Sequence, residues 1–154
     1  ILDKYGLLLD KTILVHCGYC TEVDLKLVKE RGAIIAVCPI SNIFLNTKVV
    51  DLSILENLGI PWCIATDGLG TGKTFSLMEQ IKVARRYYPK ISLEKYWNSI
   101  SKIPGLIFNN ILYTGNIEVG NCNTLLKTEY EGNDVNELLE NLIEGKIGIM
   151  PIMV

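Results

Sequence analysis

Short apolar runs alternate with amphipathic stretches along the first hundred residues. Residues 13–17 (ILVHC), 33–37 (AIIAV) and 61–65 (PWCIA) are compact and rich in aliphatic side chains. Their hydrophobicity is continuous rather than alternating, which predicts strands buried on both faces. The intervening stretches follow helical spacing. Thr21-Glu-Val-Asp24 reads as a capping-box start, with aspartate in place of the usual Glu or Gln. Val23, Leu27 and Val28 then mark one helical face, and Gly32 suits the helix C-terminus. Residues 38–47 (CPISNIFLNT) read as a loop punctuated by Pro39. Leu52, Leu55 and Leu58 mark a second helix ending near Gly59. A long amphipathic run, 75–88, closes before Pro89, and Ser92 caps a helix carrying Leu93, Tyr96, Trp97 and Ile100.

Three strand–helix units in succession predict an α/β fold with a parallel sheet covered by helices. In such sheets chemistry gathers at the C-terminal ends of the strands. Those ends are His16-Cys17, Cys38-Pro39 and Thr66-Asp67. One histidine and one aspartate therefore stand at equivalent heights, two units apart.

The pattern changes after about Pro104. Residues 107–130 read as β-rich pieces between glycine turns, and Leu125-Leu126 begin a short strand. Asp134 caps a helix through Glu144, with Leu138, Leu139, Leu142 and Ile143 inward. Residues 146–154 (KIGIMPIMV) read as a final strand. This predicts a division into 1–104 and a β-rich appendage, 105–154.

A length of 154 residues suits one ordinary domain. The formal net charge of −2 gives no basic footprint, so no nucleic-acid partner is expected. The longest apolar runs fall far short of the ~20 residues of a membrane span, so no membrane partner is expected. The first nine residues lack the pattern of a secretory leader. The five cysteines, Cys17, Cys20, Cys38, Cys63 and Cys122, are an odd number, and several lie in strand-like runs. Reduced, buried thiols in a cytoplasmic protein are the expectation.

The stretch Thr66-Asp-Gly-Leu-Gly-Thr-Gly-Lys-Thr-Phe-Ser-Leu77 contains the tail of a phosphate-binding loop. The full motif needs a glycine five residues before Gly72, and that position is Asp67. A shortened loop with a carboxylate at its mouth is a poor anion nest. Asp67 alone can be a residue that bonds nearby backbone amides, and His16 alone a satisfied core histidine. Their pairing at matched strand ends makes them the candidate catalytic residues. Cys17-Gly-Tyr-Cys20 has redox or zinc spacing but lacks two further well-placed ligands, so ordinary thiols are the default.

Taken together, "ILVHCGYCTEVDLKLVKERGAIIAVCPISNIFL" and "LENLGIPWCIATDGLG" resemble the amidohydrolase superfamily, closest to its cytosine-deaminase-like and chlorohydrolase-like branch. The resemblance runs from Leu8 to about Val83 and extends through residues 115–120 (GNIEVG). That last piece resembles the turn into a small flanking β-sandwich. The resemblance implies the C-terminal portion of a (β/α)8 TIM barrel, about strands six to eight, plus part of a small β-rich flanking domain. His16 matches the sixth-strand histidine that contacts water or substrate. Asp67 matches the eighth-strand aspartate that binds the metal and shuttles a proton.

The implied cofactor is one divalent metal ion, zinc first, with iron or manganese as alternatives. The implied reaction is hydrolytic deamination of a nucleobase- or nucleoside-like small molecule. The family's first-strand His-x-His and fifth-strand histidine have no counterpart here, so the remaining ligands are expected outside this chain. The residues read as the C-terminal part of a longer enzyme, inactive alone. Its partner would be the missing N-terminal half or a second copy in a homo-oligomer. Val37 stands where many relatives carry a histidine, and Asn123-Thr124 replaces the usual Ala-Asp.

Ser41, Asn42 and Phe44 follow the seventh strand; loop capping and packing are their expected roles, with lining the mouth of the site as the alternative. Lys73 becomes incidental. Two other classes remain open: a non-catalytic split or degenerate barrel subunit that binds a partner, and a nucleotide-binding domain using residues 68–74. Open sheet edges predict that the isolated chain is not a well-behaved monomer.

Overall fold

The computed structural model describes residues 1–10, 12–108 and 126–152. The polypeptide forms two compact units, Ile1–Ile91 and Ser92–Val154. The first contains a three-stranded parallel sheet of β1 (Ile13–Val15), β2 (Ile34–Val37) and β3 (Trp62–Ile64), in that spatial order. Leu14 lies opposite Ile35, and Ala36 opposite Cys63.

β2 is buried at every residue, as its unbroken apolar run requires. β1 departs from expectation: Ile13 and Val15 are 42% and 52% exposed. As an edge strand it is covered by β2 on one side only among the described residues. His16 and Cys17, expected in the strand, lie beyond it with left-handed backbones (φ 71° and 54°).

Helix α1 (Glu22–Glu30) crosses from β1 to β2. Its capping box is complete: the Thr21 side chain accepts from the Asp24 amide, and the Asp24 carboxylate accepts from the Thr21 amide. Gly32 takes the left-handed turn after it. Its buried residues are Leu25 and Val28, whereas Val23, expected inward, is exposed. Val23 lies in the first turn, on the solvent side of the stripe that Leu25 and Val28 define three residues apart.

The stretch expected as a loop after β2 is instead α2 (Pro39–Phe44). Pro39 occupies the start of this helix, where its fixed φ is favourable and its missing N–H is not needed. The buried Gln80 accepts from the Ile40 amide through Oε1 and so satisfies one of the free donors of that first turn. Helix α3 (Leu52–Leu58) ends at left-handed Gly59 as expected, with Leu52 and Leu55 buried.

After β3 the glycine-rich stretch contains a one-turn helix, α4 (Leu69–Gly72), and α5 (Leu77–Tyr87) follows. A Cβ on Gly72 would overlap the Thr66 carbonyl oxygen, so this glycine permits close approach of α4 to the end of β3. Lys73 sits over the Phe44 ring, 4.7 Å from its centroid. That placement gives the Gly-Lys pair a packing role.

In the second unit, α6 (Leu93–Ile100) is capped by Ser92 and buries Tyr96. Residues expected to begin β-rich structure are helical through Phe108 in α7 (Lys102–Phe108), whose first turn accommodates Pro104. The rest of that expectation, 109–125, lies outside the described residues. Leu126–Lys127 form β4, and α8 (Val135–Ile143) is capped by Asp134 and buries Leu139, Leu142 and Ile143. Among the described residues the long final strand, expected over 146–154, reduces to β5 (Met150–Pro151), antiparallel to β4. Gly148 and Pro151 limit it, the one by conformational freedom and the other by its missing donor. No helix among the described residues is long and apolar enough to cross a membrane.

Candidate active site

The ends of β1 and β3 flank the start of α2. That helix begins directly after β2, so its first turn lies between them. Ser41 and Asn42 are neighbours on it, and adjacent helical positions point about 100° apart. Ser41 thus reaches the β3 end and Asn42 the β1 end. Both are buried.

His16 and Asp67 face one another across this gap, with His16 Nε2 3.8 Å from Asp67 Oδ2. Their side chains are 38% and 33% exposed, so the pair opens to solvent. Both residues hold left-handed backbones, at φ 71° and 59°. That conformation costs a non-glycine residue about 1–2 kcal/mol. It turns each side chain off the strand direction and toward the other.

Asp67 sits among hydrogen-bond donors. Ser41 Oγ donates to Oδ2 at 2.6 Å, the Gly68 amide to Oδ1 at 2.8 Å, and Thr71 Oγ1 to Oδ2 at 3.1 Å. The Ser41 hydroxyl, followed by the Gly68 amide, holds the carboxyl below the usual aspartate range. Asp67 is therefore an anion at neutral pH. Among the described residues His16 makes one side-chain hydrogen bond, with Asn42 Oδ1 3.2 Å from Nδ1.

The thiols are a separate matter. Burial, then the neighbouring Cys20, pushes Cys17 up to about 12; burial also pushes Cys38 and Cys63 up to about 11. All are protonated at neutral pH and are poor nucleophiles or ligands. Cys20 is exposed, contrary to the expectation of uniformly buried thiols, because it lies in the turn after β1. Cys122 lies outside the described residues.

The sequence-predicted pair is thus brought together. Ser41 and Asn42, expected to cap and pack with lining the mouth as the alternative, are hydrogen-bonded to it. The signal for them was their place: the first helical turn after a central strand sits beside the strand ends, where ligands bind in parallel sheets. Among the described residues, no group of three or more His, Cys, Asp and Glu side chains is placed to hold a metal ion.

The chain belongs to the amidohydrolase family, which it matches over residues 1–122. It is 31% identical over 83 residues to the 5'-deoxyadenosine deaminase of Methanothrix thermoacetophila, covering 54% of this chain and 20% of that protein. It is 35% identical over 78 residues to the aminodeoxyfutalosine deaminase of Nitratiruptor, covering 51% of this chain and 19% of that protein. The chain therefore matches about a fifth of the length of these relatives. Its fold resembles a zinc-bound adenosine deaminase structure from Xanthomonas campestris, with TM-score 0.81 at 22% identity over 92% of this chain and 35% of the other.

Proposed function

We propose that this chain forms the sixth- to eighth-strand portion of a (β/α)8 barrel that deaminates an adenosine-like nucleoside by hydrolysis. Residues 1–104 are its barrel units, and 105–154 belong to a flanking appendage. The observation that carries the reading is the pair of strand-end side chains, His16 and Asp67, facing each other at 3.8 Å with the aspartate held ionised. The nucleoside class is supported by the relatives, which are deaminases of 5'-deoxyadenosine and aminodeoxyfutalosine.

A carboxylate and an imidazole suit zinc, iron or manganese. Asp67 is the ligand this chain supplies. A catalytic zinc site takes about three protein ligands. His16 is the sole histidine of the chain, so the other ligands belong to strands outside it. When bound, the ion lowers the pKa of water from 15.7 towards about 7 and so supplies a nucleophile at neutral pH.

The chain's own residues do the rest. His16 hydrogen-bonds the attacking water or the substrate oxygen and holds it at the reacting carbon. Asp67 takes the water's proton and returns it to the departing amine. Water oxygen adds to the carbon, the C–N bond breaks, and ammonia leaves. The low pKa set by Ser41 keeps Asp67 ready as a ligand and makes it a base only toward an acidified water.

The test is ammonia release from 5'-deoxyadenosine by this chain assembled with its remaining strands and zinc. Asp67→Asn is expected to lower kcat/KM by about 10²–10⁴-fold and to reduce bound zinc. Unchanged turnover in Asp67→Asn overturns the reading. The exposed Ile13 and Val15 favour a second reading, a non-catalytic subunit that binds a partner through β1. That reading expects no ammonia release and partner binding insensitive to Asp67→Asn.

A further inference from the structure

Asn42 is 3% exposed and fully engaged. Its Nδ2 donates to Thr47 Oγ1 at 3.0 Å and to the Lys48 carbonyl at 3.0 Å. The Thr47 hydroxyl donates its own proton to the main-chain carbonyl of Asn42 at 3.2 Å, so its oxygen meets the side-chain amide as an acceptor. The Lys48 carbonyl accepts only. Flipping the amide would set two acceptors against each other at Lys48, so the orientation is fixed by its partners. The Lys48 carbonyl is fixed as well. It packs against Gly18, where a Cβ would overlap it.

This leaves Asn42 Oδ1 aimed at His16 Nδ1, 3.2 Å away. A carbonyl oxygen only accepts, so the hydrogen bond requires a proton on Nδ1. We infer that Asn42 is a positioning residue that sets the tautomer of His16, placing the neutral ring's proton on Nδ1 and turning the Nε2 lone pair toward Asp67. Free histidine favours the opposite tautomer, so the protein reverses a default.

The consequence rests on the function proposed above. Nε2 of the neutral ring receives a hydrogen bond from the attacking water rather than donating one to it. It donates only after taking a proton. The other tautomer would present an N–H to the water and could accept no hydrogen bond from it at Nε2.

The tautomer is readable without any turnover, so its failure is separate from failure of the deaminase reading. His16 is the sole histidine, and a long-range ¹H–¹⁵N correlation spectrum of the intact 154-residue chain at alkaline pH shows one imidazole. The expected spectrum is the Nδ1–H pattern. Asn42→Ala is expected to lose it in favour of the Nε2–H pattern. An Nε2–H pattern in the unaltered chain overturns the inference without recourse to any variant. So does an unchanged Nδ1–H pattern in Asn42→Ala.

Discussion

β1 and β2 lie side by side with nearly the same side chains, Ile-Leu-Val against Ile-Ile-Ala-Val, and are buried to very different degrees. Every residue of β2 is buried, while Ile13 and Val15 of β1 are 42% and 52% exposed. The difference lies in the neighbours: β2 has a strand on each side, and β1 has one among the described residues. A run of three large aliphatics suits a strand covered on both faces. The mismatch between composition and exposure supports the proposal that further barrel strands lie against β1. The same contrast extends to the strand ends. Asp67, beyond β3, is gripped by three donors, whereas His16, beyond β1, has among the described residues a single side-chain hydrogen bond, to Asn42.

The sharpest way to break this comparison is to truncate one residue from each strand. Ile35 is wholly buried, so Ile35→Ala is expected to lower the unfolding free energy by about 2–5 kcal/mol. Val15→Ala is expected to stay within about 0.5 kcal/mol. Urea denaturation of both variants checks this. Equal losses would mean that the outer face of β1 is covered in solution, and stability would then rise with protein concentration.

A smaller effect separates the strand ends from the loop between them. Gly18→Ala and Gly72→Ala each force a Cβ into a backbone carbonyl, of Lys48 and Thr66 respectively, and backbone yields little. Each is expected to destabilise by about 1–3 kcal/mol. Gly68→Ala meets nothing within 4 Å and has an ordinary φ of −76°, so a change within about 0.5 kcal/mol is expected. Thermal melts of the three variants rank them.

How much of this was legible follows the same physics. β2, β3 and the helices capped by Thr21, Ser92 and Asp134 were readable because apolar runs and caps are local signals. The exposure of β1 was not, since burial depends on which elements pack against a strand and its own pattern is silent on that. Helix α2 was hidden because Pro39 reads as a breaker unless it is recognised as a helix-starting proline. His16 and Asp67 were legible as strand-end residues. Their left-handed backbones were not, because neither is a glycine. Ser41 and Asn42 were noticed, with packing favoured over lining the mouth, since their hydrogen bonds reach 26 residues along the chain in either direction.

The smallest expected effect concerns the crossover between the two strands. α1 begins at the Thr21–Asp24 capping box, and Thr21→Ala is expected to cost about 1 kcal/mol. The Asp24 carboxyl is held below its ordinary range by the Thr21 hydroxyl, then by the Thr21 amide. A depressed folded value stabilises the fold above the unfolded pKa of about 3.9. That contribution fades as the pH falls through the folded value. Thr21→Ala should therefore flatten the loss of stability on acidification below about pH 4, which urea midpoints in acid would read. It also bears on β1. If β1 is held by β2 on one side and by α1 through the chain, weakening the cap should speed amide exchange at Leu14 and Val15 before it does so at Ile35 and Val37. Equal acceleration in both strands would mean that the sheet opens as one unit, and that the bare face of β1 does not make it the weaker strand.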